Sequence, residues 1–174
     1  MKKNDLGKIH VYTGDGKGKT TSSFGLALRA IGAGYRVSII QFLKGQDYSE
    51  LKSLELLPRL HFKRFGLKSF IHGTPKPEDV AHAKKGLAYA QKIVSSGKYD
   101  LVVLDEIFVA HFFKLISEQD ILRLIRKKPK YVELVLTGRR ATPRVMKKAD
   151  YVTEMREIKH PFQKGIYARR GIEN

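Results

Sequence analysis

Residues 14–20 read Gly-Asp-Gly-Lys-Gly-Lys-Thr, between a β-rich run, Ile9-His10-Val11-Tyr12, and a segment of helical periodicity from Thr21 to Ala33. Gly14, Gly16 and Gly18 allow successive backbone N–H groups to point into one concavity. The N-terminus of the helix that follows adds partial positive charge. Lys19 brings a full charge, and the Thr20 hydroxyl is able to ligate Mg²⁺ or Mn²⁺. Strand, loop and helix in this order make a phosphate-binding loop for a nucleoside triphosphate, where a plain glycine-rich turn would need none of these side chains. The loop is a variant. The usual pattern carries a glycine five residues before Gly18, where this chain has Thr13, with Gly14 one position later. A dinucleotide fingerprint is excluded, because its third glycine would have to stand at Lys19.

The rest of the chain alternates strands and helices. Tyr35 to Phe42, Leu60 to Phe65, Tyr131 to Thr137 and Tyr151 to Met155 read as strands. Leu101-Val102-Val103-Leu104 is a continuous apolar run, the signature of a parallel strand buried on both faces. Helices are predicted at Thr21 to Ala33 with Phe24, Leu28 and Ile31 on one face, at Glu78 to Ser95, from Ser117 to Lys127, and at Pro143 to Lys148. Gly66 to Pro77 reads as a loop. This alternation implies an α/β fold whose mostly parallel sheet is covered by helices on both faces. With 174 residues, the chain is expected to form a single domain spanning 1–174.

Composition narrows the function classes. No apolar run approaches the ~18–20 residues of a membrane helix. The first residues lack the apolar stretch of a signal peptide, and cysteine is absent, which fits a cytoplasmic protein without disulfides or thiolate metal sites. Net charge is +17, concentrated late in the chain: Arg123 to Arg170 holds 15 Lys/Arg against 4 Asp/Glu. Such a surface attracts phosphates, nucleic acid or acidic proteins, or is simply solvated.

Asp105-Glu106 closes the buried run, at the strand end where open α/β sheets bind ligands. One of these carboxylates suits Mg²⁺, directly or through water. The other reading of Asp105 is a helix N-cap.

Later segments carry a resemblance. Tyr12 to Thr21, Gln41-Phe42-Leu43-Lys44-Gly45, Leu101 to Ile107, Thr137-Gly138-Arg139, Glu154-Met155, Lys159 to Ile166 and Gly171 to Glu173, in this order and spacing, resemble the P-loop type of corrinoid (ATP:cob(I)alamin) adenosyltransferase. The resemblance covers about Lys8 to Glu173, and the loop beginning at Thr13 is itself a family trait. It implies a RecA-like fold, a homodimer, and transfer of the 5′-deoxyadenosyl group of ATP to reduced Co(I) corrinoid with release of triphosphate, a step of cobalamin biosynthesis. It also implies that ATP lies reversed relative to ordinary P-loop enzymes. The residues it carries over are Gly14, Asp15, Gly16, Lys17, Gly18, Lys19, Thr20 and Thr21 for the triphosphate, Lys17, Lys19 and Thr20 being the catalytic ones. Glu106 with Thr20 is implied for the metal, and Arg139 for the nucleotide, while Asp105 is a metal candidate from its place at the strand end.

Two departures stand out. The family's Gly-Phe-x-Trp segment would fall near Gly66-Leu67-Lys68-Ser69-Phe70, yet the chain has no tryptophan; Phe65 and Phe70 are the candidates for the corrinoid's lower face. Only about eight residues precede the first strand, where many relatives carry a longer arm. Two other readings share the loop. A small-molecule kinase would release ADP, and a RecA-like nucleic-acid-stimulated ATPase would use the basic half. The sparse aromatics there, Tyr131, Tyr151, Phe162 and Tyr167, argue against nucleic acid as a ligand. Under the adenosyltransferase reading the basic surface would dock an acidic, flavodoxin-type reductant.

Overall fold

Six β-rich runs become strands in the computed structural model, which describes residues 5–46, 48–67, 71 and 73–172. They are β1 (Ile9–Thr13), β2 (Val37–Phe42), β3 (Leu60–Phe65), β4 (Leu101–Asp105), β5 (Glu133–Thr137) and β6 (Tyr151–Glu154). All pair in parallel, in the order β3-β2-β4-β5-β1-β6. The fold is α/β, and its all-parallel sheet is consistent with a RecA-like P-loop fold. The helices are α1 (Lys19–Gly32), α2 (Glu50–Glu55), α3 (Pro77–Ser96), α4 (Ile107–Phe112), α5 (Glu118–Lys127) and α6 (Pro143–Met146), followed by a 3-10 turn at Pro161–Lys164. None of the described helices is long and apolar enough to cross a membrane.

The apolar run in β4 lies where its composition requires, third in the six-stranded order and buried at all five positions. Alternation splits its side chains between two cores. Val102 and Leu104 join Ile40, Phe42, Leu134 and Leu136 under α3, α4 and α5. Leu101 and Val103 join Val37, Ile39 and Val135 under α1.

The predicted apolar face of α1 needs correction. Its buried stripe is Lys19, Ser23, Ala27 and Ile31, while Leu28 is 56% exposed. Small side chains at Ser23 and Ala27 let the helix lie close to the sheet, which seats the loop at its N-terminus against the strand ends. Helix α5 starts as predicted. Ser117 Oγ accepts from the Asp120 N–H at 3.1 Å, and Asp120 Oδ2 accepts from the Ser117 N–H at 3.2 Å, a reciprocal cap. Helices α2 and α4 were not anticipated. Each has six residues, too short to show a period, and Ile107, Phe108 and Ala110 of α4 are buried and give no polar face.

At the amino ends of the strands, Glu133 ties the start of β1 to β5. Its Oε2 accepts the N–H of Gly7 at 2.6 Å and of Lys8 at 2.7 Å, and Oε1 lies 2.7 Å from His10 Nε2. Burial pushes this carboxyl up, but the bonds from His10, Gly7 and Lys8 outweigh it and hold the group below its usual range. A depressed acid stabilises the fold above its unfolded pKa, and that stability is lost as pH falls through the folded value. Glu133→Gln is therefore expected to cost about 1–3 kcal/mol at pH 7 in urea titration and to flatten the acid limb of the stability profile. An unchanged acid limb would remove Glu133 from this role.

Candidate functional site

The loop expected from residues 14–20 lies between β1 and α1, and the carboxyl ends of β1, β2, β4 and β5 converge beside it. They bound a cleft of about 610 Å³. Its walls include Asp15 to Thr21, Lys44, Glu106 and Arg139, so most of the predicted site residues are brought together. Phe24, Tyr48, Glu50 and, from the C-terminal segment, His160 and Ile172 also line it.

Gly14 and Gly16 also do a job that their spacing does not show. A Cβ on Gly14 would stand 2.4 Å from the Met155 carbonyl oxygen, and one on Gly16 2.7 Å from the backbone of Met155 and Arg156. The Gly16 N–H donates to the Met155 carbonyl at 2.7 Å. Both glycines thus admit the chain leaving β6, and the Gly16 amide is taken by protein. The amides left for phosphate are those nearer the start of α1. Thr13, standing where a glycine is usual, accepts from the Ala141 N–H through Oγ1 at 3.0 Å and from the Met155 N–H through its carbonyl at 2.8 Å. Its hydroxyl ties the loop strand to the connection after β5, which a glycine could not do.

Lys19 is buried and donates to the Gly16 carbonyl at 2.6 Å. Burial pushes its ammonium below the usual range; Arg139 adds to that, while Glu106, Asp15 and Asp105 oppose it. Arg139 and Asp15 form an ion pair at 3.3 Å at the cleft mouth, with both side chains more than half exposed and the pair correspondingly weak.

Asp105 is fully buried and accepts from four side chains. Thr137 Oγ1 donates to Oδ1 at 2.6 Å and Thr20 Oγ1 at 3.0 Å, while Gln41 Nε2 at 3.0 Å and Lys44 Nζ at 3.1 Å donate to Oδ2. Two lone pairs per oxygen are thereby filled. Asp105 is not a helix cap: α4 is preceded by Glu106, and the carboxylate of Asp105 faces the strand ends. Glu106 sits at φ 62°, a left-handed conformation costly for a residue with a side chain, and its N–H donates to Thr137 Oγ1 at 3.0 Å. Burial and then Asp105 raise the Glu106 carboxyl above its usual range, against the pull of Lys44, Lys19 and Arg139.

The chemistry of these donors fits a divalent cation. The Lys44 ammonium lies 3.1 Å from both Thr20 Oγ1 and Asp105 Oδ2, so the spot beside the Thr20 hydroxyl already draws positive charge. Among the described residues there is no group of three or more His, Cys, Asp or Glu side chains set to hold a metal. A metal here would use Thr20 and Glu106 and complete its shell with water and phosphate oxygens, as Mg²⁺ commonly does.

Phe65 is placed elsewhere. It packs 5.5 Å from the Tyr89 ring and against the site of a Gly86 Cβ, under α3, and it is not part of the cleft wall. Phe70 lies outside the described residues. Sequence reasoning assigned no role to Lys44, Gln41, Thr137 or Tyr48. The available signal was position: Gln41, Lys44 and Thr137 all lie at or just after strand ends on the carboxyl edge, within segments already noted.

Loop, helix N-terminus, buried acidic strand end and parallel sheet define a nucleoside-triphosphate-binding protein of the P-loop class. The sequence profile of the family "ATP:corrinoid adenosyltransferase BtuR/CobO/CobP" matches residues 5–174, and the chain belongs to that family. It is 35% identical over 176 residues to a corrinoid adenosyltransferase of Sinorhizobium sp., covering 99% of this chain and 82% of that one. A corrinoid adenosyltransferase of Pseudomonas aeruginosa is 32% identical over 180 residues, with 98% and 85% covered. One of Escherichia coli K12 is 29% identical over 170 residues, with 98% and 87% covered. The protein is thus a transferase whose substrates are ATP and a corrinoid.

Proposed function

We propose that the cleft holds ATP so that the 5′-deoxyadenosyl group passes to Co(I) of a reduced corrinoid and triphosphate leaves whole. The observation that carries this is the convergence of Lys17, Lys19, Lys44 and Arg139 on one cleft around the start of α1. Cobalt supplies the electron pair of the new Co–C5′ bond, and the C5′–O5′ pair departs with the triphosphate. The nucleophile needs no protein base. The protein's part is to align C5′ with cobalt and to stabilise charge growing on the leaving oxygens. Lys19 and Lys17 with the amides at the start of α1 face that charge, Thr20 and Glu106 hold Mg²⁺ or Mn²⁺, and Arg139 meets the nucleotide at the mouth. The metal would neutralise part of the triphosphate charge. Asp105 acts by fixing Thr20.

Mixing protein, Mg-ATP and chemically reduced cobalamin should give the absorbance change to adenosylcobalamin with triphosphate as co-product. ADP as the product would mean a kinase, and ATP turnover that rises with DNA or RNA would mean a nucleic-acid-stimulated ATPase.

Phe65 and Phe70 stay the candidates for the corrinoid's lower face, with the Phe65 ring set against Tyr89 of α3. A homodimer is supported by the exposed Tyr151 and Val152 on β6, a strand at the sheet edge, and sedimentation at the dimer mass is its check. An acidic, flavodoxin-type donor is supported by the basic surface, and loss of coupling at high salt is its check. A cytoplasmic location is in keeping with both.

A further inference from the structure

We propose that Lys44 is a mobile cation that, bridging Thr20 and Asp105, occupies the Thr20 hydroxyl a metal would use while the cleft is free of nucleotide, and moves onto the triphosphate when metal and ATP enter together. The inference rests on the ATP-binding reading above.

Three observations carry it. The Lys44 ammonium is bonded to Thr20 Oγ1 and Asp105 Oδ2, both at 3.1 Å, so it sits against the hydroxyl a metal would use. An ammonium and a divalent cation cannot share that place, because at a few ångströms their repulsion is large. Metal binding must therefore displace Lys44. The side chain is built to be displaced. It projects from a turn just past β2, next to Leu43 at φ 59°, on a flexible four-carbon stem, and its ammonium lies 5.3 Å from the centre of the Tyr48 ring. It stays charged, since Asp105 and Glu106 overcome the effect of burial. It also lines the same cleft as the phosphate loop, so the space open to a displaced ammonium is the space of the triphosphate.

The exchange has a functional consequence. Without nucleotide, Lys44 offsets the charges of Asp105 and Glu106, and bare metal competes poorly for them. With Mg-ATP, the metal takes over that neutralisation, and the released ammonium adds a donor to the leaving group. The site would then admit metal chiefly as the nucleotide complex.

The test uses Lys44→Met, which keeps the stem and removes the charge, with Lys44→Gln as the substitute should the first fail to melt cooperatively. Mn²⁺ is titrated into nucleotide-free protein, and free Mn²⁺ is read by electron paramagnetic resonance. Wild type should bind Mn²⁺ weakly, and the variant about tenfold or more tighter, as expected on removing a like charge from the metal's place. With saturating Mg-ATP and preformed Co(I), kcat of the variant should fall about 10²-fold, as for loss of one oxyanion donor. Unchanged or weaker Mn²⁺ binding by the variant would overturn the place-keeping role, and an unchanged kcat would overturn the triphosphate contact. If wild type itself forms no adenosylcorrinoid, the functional reading fails, while the Mn²⁺ comparison still decides the place-keeping of Lys44.

Discussion

Lys19→Ala is expected to lower adenosylation of pre-reduced cobalamin by about 10³-fold, effectively to background. Lys19 is buried in the loop with the Gly16 carbonyl as its hydrogen-bond acceptor, which holds its charge at the floor of the cleft. Its removal takes charge from the leaving triphosphate where it matters most, at the base of the phosphate loop. The fold should survive, because methyl replaces a side chain bonded only to its own loop, and a melt run beside the assay checks this. Preformed Co(I) is the right substrate, since it separates group transfer from reduction of cobalt. Near-normal product formation by a folded Lys19→Ala protein would sink the role.

Asp105→Ala is expected to cost about 3–5 kcal/mol of stability, read from urea denaturation, because it leaves a buried cation without its counter-charge. Four donors, from β2, the turn after it, β5 and α1, converge on this one fully buried carboxylate. A domain this size has only about 5–15 kcal/mol to lose, so the transition should move far toward zero denaturant. A second consequence separates two views of Asp105. If it organises the site, Asp105→Asn should also destabilise, because the amide turns a donor toward Lys44 or Gln41. If it is chiefly a direct metal ligand, Asp105→Asn should keep its stability and lose only metal affinity.

Much of the site was legible in contiguous residues. The strand–loop–helix around Gly14 to Thr20 and the acidic end of β4 appear in the structure where their local patterns place them. What was missed or misread has identifiable causes. The spacing of Gly14 and Gly16 marks a phosphate loop but does not show that their missing side chains also admit the backbone of Met155 and Arg156, which lies more than 130 positions away in the chain. Leu28 fits a helical period but faces outward, because small residues, not large ones, pack α1 onto the sheet. Phe65 ends β3 beside the expected aromatic segment, but strand alternation sends its ring to the α3 side.

The sequence by itself determined the strands and long helices, the triphosphate loop and the family. These depend on periodicity, on turn and cap chemistry and on short motifs, each carried by neighbouring residues. Only the tertiary structure decided how Thr20, Gln41, Lys44, Asp105 and Thr137 meet. They come from α1, β2, the turn after it, β4 and β5, and they meet because the strand order puts β4 between β2 and β5. No local pattern encodes that order. It follows from which apolar faces bury one another, and that same choice sets the Lys44 ammonium beside the Thr20 hydroxyl.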